Sequence, residues 1–211
     1  MLFLRSLDDR LFFAVNALAR HTGWLHPLML AFAQYGVVLF GLMLVGGLVY
    51  ARLRDSRTLG AAGWAGMAPV VALAVNQPVT HLFHEARPYV THPHILLLAS
   101  RSADYSFPSD HSVMAGAVAA GLFFVSRRLG ALAAVAALVM AFARVYVAAH
   151  YPWDVVLGLV YGAGITLLGW RFLRVPLTAL ATWLRRQPGL VLVFAPMNRS
   201  AAKGSTKVAS P

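Results

Sequence analysis

The sequence predicts an all-α integral membrane bundle of five transmembrane helices, on three observations. Of its 211 residues, 59% are hydrophobic and 12% are charged, about half the roughly 25% charged fraction of soluble domains. The apolar residues fall in runs near the roughly 20 that cross a hydrocarbon core. The arginines gather in alternate breaks between those runs, the pattern of loops retained on the cytoplasmic side.

In order along the chain, residues 1–21 mix Leu7, Leu11, Phe12, Val15 and Leu18 with Arg5, Asp8, Asp9 and Arg10. Such a mixture suits an amphipathic helix lying in the membrane interface, with a sixth span as the alternative. No small-residue cleavage site follows it, which argues against a cleaved signal peptide. The five spans run over about 27–51, 60–86, 108–126, 130–149 and 153–173. Residues 175–195, interrupted by Arg185, Arg186 and Pro188, read as a further interfacial piece. Asn198 to Pro211 reads as a disordered tail. Three units result: an interfacial segment 1–26, a transmembrane domain 27–174 and a basic cytoplasmic segment 175–211.

The net charge of +11 does not call for nucleic acid, because the basic residues sit in inter-span loops and in the tail. With no cysteine there is neither a disulfide nor a thiolate nucleophile or ligand. Arg52, Arg54 and Arg57 separate the first two spans, Arg127 and Arg128 the next pair, and Arg171, Arg174, Arg185 and Arg186 follow the fifth. If the spans alternate, these groups share the cytoplasmic side with the C-terminus. Every polar cluster then falls on the opposite face of a cell membrane.

There are three such clusters. Arg87-Pro88 closes the second span, and Gln77, Thr80, His84 and Arg87 recur at helical spacing as one polar stripe. Taken alone, the stripe is equally well read as interhelical hydrogen bonding. In the run Ser106-Phe107-Pro108-Ser109-Asp110-His111, the proline opens the third span. Its first turn offers free amides to an anion, or simple capping by Ser109 and Asp110. In the third cluster, Arg144 precedes His150 by six positions and His150 precedes Asp154 by four. A histidine nucleophile or base needs a partner that fixes its tautomer, and an arginine holds phosphoryl oxygens bidentately. The bland reading is an Arg–Asp pair at a helix start. The three clusters on one face together suggest phosphoryl transfer with no metal or other cofactor. A two-histidine, one-carboxylate metal site from His111, His150 and Asp154 is disfavoured by the adjacent charges of Arg87 and Arg144. His92 and His94 read as solvated loop residues.

These residues resemble the type 2 phosphatidic acid phosphatases, whose fold is shared with vanadium haloperoxidases. The family pattern is Lys-x6-Arg-Pro, Pro-Ser-Gly-His and Ser-Arg-x5-His-x3-Asp, and the likeness covers roughly residues 60–170. The wording Ser-Phe-Pro-Ser-Asp-His most resembles the bacterial undecaprenyl-diphosphatase subgroup. The resemblance implies that His150 attacks phosphorus, Asp154 orients it, and His111 protonates the leaving oxygen and then activates water. Arg87, Ser109, the Asp110 amide and Arg144 would bind phosphoryl oxygens. Three positions depart from the pattern: Thr80 stands where the lysine would be, Asp110 replaces glycine and Ala143 replaces serine. The only lysines are Lys203 and Lys207, so Thr80 or His84 would have to stand in. The expected substrate is a polyprenyl diphosphate or another lipid phosphate such as phosphatidic acid or phosphatidylglycerol phosphate. The expected partners are that lipid and the bilayer. A non-catalytic lipid-binding or transport protein is the alternative from another class. Gly158 and Gly162 supply a helix-packing spacing that leaves the oligomeric state open.

Overall fold

The computed structural model describes residues 2–187, with side chains from Arg5 onward. Among the described residues the regular structure is helical: α1 (Leu2–His21), a 3₁₀ turn (Gly23–Leu25), α2 (His26–Arg52), α3 (Ser56–Phe83), α4 (Pro88–Thr91), α5 (Asp110–Val125), α6 (Arg127–Tyr146) and α7 (Pro152–Arg186). The expected tail lies outside the described residues.

α2, α3, α6 and α7 are each long and apolar enough to cross a membrane. α5 is shorter than the expected 108–126 span, with 16 residues, and so is about 24 Å long. A hydrocarbon core is about 30 Å thick. Because α5 meets α6 through the single residue Ser126 at the arginine-bearing end, its other end stops inside the bundle. α5 is the central helix, packed against α3, α6 and α7.

The helices alternate, so α5 and α7 both start at the same end and run parallel. Small residues bring them together. A Cβ on Gly162 would lie 1.9 Å from the Val113 carbonyl oxygen, and one on Gly116 would lie 2.2 Å from that of Leu159. Gly158 meets Ser109 and Ser112 in the same seam, so the spacing noted in the sequence serves packing within the chain. Without a hydrophobic drive between helices in lipid, such close approach is a main source of cohesion.

Two boundaries differ from expectation. α7 continues through Pro176 to Arg186, with no break near residue 174. Neighbouring groups in a bundle can satisfy the carbonyl that a proline frees. The guanidinium of Arg185 then donates to the carbonyls of Ala51, Arg52, Arg54 and Asp55 at the end of α2. α3 stops at Phe83 rather than 86, because His84 enters the left-handed region with φ 50° and its amide bonds the Thr80 carbonyl. Arg87 therefore lies in extended chain before Pro88 and off the helical stripe.

α1 lies across the end where α5 and α7 begin, with polar contacts at Glu85, Leu96, His94 and Trp153. Phe12 and Ala19 are buried, while Leu7, Leu11, Phe13 and Leu18 are exposed. That two-sided pattern fits an interfacial helix.

Gly162→Ala is expected to lower stability by about 1–3 kcal/mol, because backbone atoms must shift to admit the methyl. Gly164→Ala, with open space at its Cβ, is the control and should be neutral. Thermal unfolding in one detergent compares them, and equal midpoints would contradict the packing assignment.

Candidate active site

His150 lies in the short connection between α6 and α7 and is buried at 3% exposure. Its two ring nitrogens meet opposite kinds of partner. Arg87 Nη1 and Arg144 Nη2 approach Nε2 at 3.3 and 3.2 Å, and guanidinium groups only donate. Nδ1 lies 2.8 Å from the Ser106 carbonyl oxygen, which only accepts. These partners assign the proton to Nδ1 and leave the Nε2 lone pair facing the arginines. Burial, then the charges of Arg144 and Arg87, push the His150 imidazole well below its ordinary pKa, so it is neutral near pH 7.

The direct partner of Nδ1 is a backbone carbonyl, with the Asp154 carboxylate just beyond it. Asp154 Oδ2 is 3.6 Å from Nδ1, beyond hydrogen-bond length, and the backbone of Ser106 takes the direct bond. The Asp154 carboxylate accepts from the Ser106 hydroxyl and, at 2.9 Å, from the Tyr151 amide. Ser106, wholly buried, therefore holds the histidine with its carbonyl and the carboxylate with its hydroxyl.

The arginines are fixed by main-chain carbonyls. Arg87 Nε donates to Asp104 at 2.9 Å and its Nη1 to Ala149 at 3.1 Å. Arg144 Nη1 reaches Ala33 at 3.4 Å, while its buried Nε has no partner. Both arginines and His150 line a cavity of about 650 Å³, together with Asp110, His111, Thr80, Gln77 and Gln34. His111, in the first turn of α5, makes no hydrogen bond to another described residue and is available to a ligand.

Ser109 holds the N-cap position of α5, yet its hydroxyl makes no capping bond and is buried without a partner. Its amide donates to the Asp154 carbonyl at 3.1 Å, tying the α5 and α7 starts together. The first-turn amides of Asp110 and His111 have no acceptor within the helix. The Asp110 carboxylate is bonded to neither arginine. It accepts from Asn76 Nδ2 at 2.7 Å and from Gln77 Nε2 at 3.4 Å, across to α3.

Thr80 lines the cavity, with its hydroxyl bonded back to the Asn76 carbonyl at 3.0 Å. His84 does not line it; its ring packs edge-on against Tyr105, 4.7 Å between centroids, and His81 lines the wall instead. The structure thus gathers His150, His111, Arg87, Arg144, Asp110 and Thr80 at one cavity, with Asp154 and Ser109 directly behind it. Only His84 stands apart. Asn76, fully buried, is a residue the sequence reading passed over; an amide one turn before Thr80 in an apolar helix was its signal.

Ser106→Ala would leave the carbonyl on Nδ1 but strip Asp154 of its hydroxyl donor. The expected outcome is roughly a tenfold lower kcat at similar KM, measured on a lipid phosphate. A neutral buried histidine also sets a sign for stability: the unfolded chain binds the proton more readily, so the fold weakens as pH falls below about 6.5. Unfolding midpoints between pH 7 and 5 should fall less steeply in His150→Gln than in wild type.

The PAP2 superfamily model matches residues 61–176, over half of the chain. Undecaprenyl-diphosphatase BcrC of Bacillus subtilis (strain 168) is 32% identical over 166 residues, covering 79% of this chain and 84% of that protein. The putative undecaprenyl-diphosphatase YbjG of Escherichia coli (strain K12) is 32% identical over 161 residues, 75% of this chain and 79% of that one. A solved structure, the transmembrane PAP2-type phosphatidylglycerolphosphate phosphatase of Bacillus subtilis, superposes with a TM-score of 0.60 at 19% identity. It covers 88% of this chain and 90% of that one, and speaks for the fold alone. On the match of the family model and the extent of the relatives, this multi-pass membrane chain belongs to the PAP2 superfamily.

Proposed function

We propose that this PAP2-type membrane phosphatase hydrolyses a polyprenyl diphosphate, undecaprenyl diphosphate, to the monophosphate through a phosphohistidine at His150, without a metal. The observation that carries the reading is the Nε2 lone pair of a neutral, buried histidine facing two fixed guanidinium groups at the cavity wall. Nε2 attacks the terminal phosphorus as the bond to the bridging oxygen breaks, and His111 gives that oxygen its proton. Water then attacks the phosphohistidine, His111 takes a proton from it, and inorganic phosphate leaves with His150 restored. Arg87, Arg144, the Ser109 hydroxyl and the α5 first-turn amides, that of Asp110 among them, stabilise the spread charge of the transferring group.

The diphosphate substrate is supported by the names of the two relatives at 32% identity. Leu30 and Ala33 of α2 line one side of the cavity, and α2 exposes apolar side chains along its length, Leu28, Val38 and Leu42 included. A lipid tail can rest there while its head enters. The arginine-bearing loops support a site on the extracytoplasmic side of the cell membrane.

Detergent-purified protein is expected to release phosphate from undecaprenyl diphosphate faster than from phosphatidic acid or phosphatidylglycerol phosphate, with chelator present. His150→Ala is expected to lose activity by at least a thousandfold. Turnover by that variant at the wild-type rate would sink the nucleophile, and preference for another lipid would move the substrate within the class.

A further inference from the structure

We propose that α1 is a strap that positions the nucleophile segment, with Asp8 as the positioning residue that holds the start of α7. This rests on the reading of His150 as the reacting group.

α7 caps itself only in part: Asp154 in its first turn takes the amide of Tyr151, the residue before the helix. Its N-cap is Tyr151, whose hydroxyl is engaged with Thr91, whereas helix starts favour Ser, Thr, Asp or Asn there. A second acceptor comes from the far end of the chain: Asp8 Oδ1 takes the Trp153 amide at 3.0 Å, one of the first-turn donors that lack an internal partner. A carboxylate at this terminus also complements the helix dipole. Phe12, one turn on from Asp8 and fully buried, packs edge-on against the Tyr151 ring at 5.3 Å. α1 therefore touches the first and third residues after His150.

The same helix grips the other side of that segment. Asn16, 3% exposed, exchanges two hydrogen bonds with the backbone of Leu96, at 2.8 and 3.1 Å. Leu98 and Ala99 just beyond donate to the Val147 carbonyl. Thr22 and the Tyr146 hydroxyl meet at 2.8 Å. Residues 147–153 are thus held at both ends by α1 or by the loop it fastens, and His150 lies between the two grips.

The Asp8 carboxylate stays there against a cost. Burial, with Asp154, Asp9 and Glu85 nearby, raises it to about 6 despite the Trp153 amide. A carboxylate serving only to keep α1 at the interface has no need of that place. Small displacements of a reacting group cost large factors in rate, so loosening α7's start should be read in turnover rather than in binding.

The test is steady-state kinetics and thermal unfolding of the purified full chain with undecaprenyl diphosphate. Asp8→Ala is expected to lower kcat roughly tenfold, with KM within about twofold and an unchanged unfolding midpoint. Asp8→Asn, which keeps an acceptor oxygen, should recover most of the loss. Arg5→Ala, which breaks the exposed pair between α1 and Glu85 beyond α3, should match wild type. If Asp8→Ala cannot be purified, Asp8→Ser, too short to reach the amide, replaces it. A kcat within twofold of wild type in the Ala or Ser variant overturns the proposal. So does no recovery in Asp8→Asn, or a loss of kcat that follows a falling midpoint. His150→Ala run alongside separates the two ideas: its retained activity would overturn the nucleophile, whereas wild-type turnover in Asp8→Ala would overturn only the strap.

Discussion

The parallel contact between α5 and α7 is the constraint on which the site depends. Both helices start at the same end, and Gly116, Gly158 and Gly162 let their backbones approach closely. The bond from the Ser109 amide to the Asp154 carbonyl then joins the two starts. In consequence two sets of orphan amides and two positive dipole ends lie at one place, a built environment for an anion. α3 and α6 arrive there with their C-termini. The cations at that end therefore come from side chains, Arg87 just beyond α3 and Arg144 in the last turn of α6.

Much of this was legible in the sequence because the signals are local. Apolar run length located the spans, and the distribution of arginines set three loops at one end and the polar clusters at the other. Spacing alone brought out Arg144, His150 and Asp154, because a tight connection between two helices keeps those residues close whatever the rest of the chain does. Pro108 and Pro152 marked the starts of α5 and α7 within two residues.

What escaped the sequence depends on chain paths without a period. The stretch from 99 to 109 has no regular structure, so nothing local says that it returns the Ser106 carbonyl to His150. A carboxylate four residues away was the natural partner to name, and the backbone of a remote serine took the bond instead. The end of α3 failed for a related reason: Pro88 marks where a helix cannot continue, whereas His84 ends it earlier by turning left-handed. His84 thereby leaves the polar stripe, and His81 takes its place at the cavity. Asp8 was read only as part of an amphipathic pattern, since a contact across 145 residues leaves no mark in spacing.

The charge balance of the cavity follows from where its carboxylates are used. Arg87 and Arg144 both approach one neutral imidazole nitrogen, an arrangement that raises their mutual repulsion unless an anion joins them. Nearby Asp154 and Asp110 would be the obvious counter-charges, yet neither is bonded to an arginine. Asp154 is bound to Ser106 and the Tyr151 amide, and Asp110 to the amides of Asn76 and Gln77. The arginines are held by main-chain carbonyls, which fix their direction without cancelling their charge. An anion entering between them meets donors already oriented. Thr80 lines the cavity without adding charge, so the positive charge at that wall comes from Arg87 and Arg144.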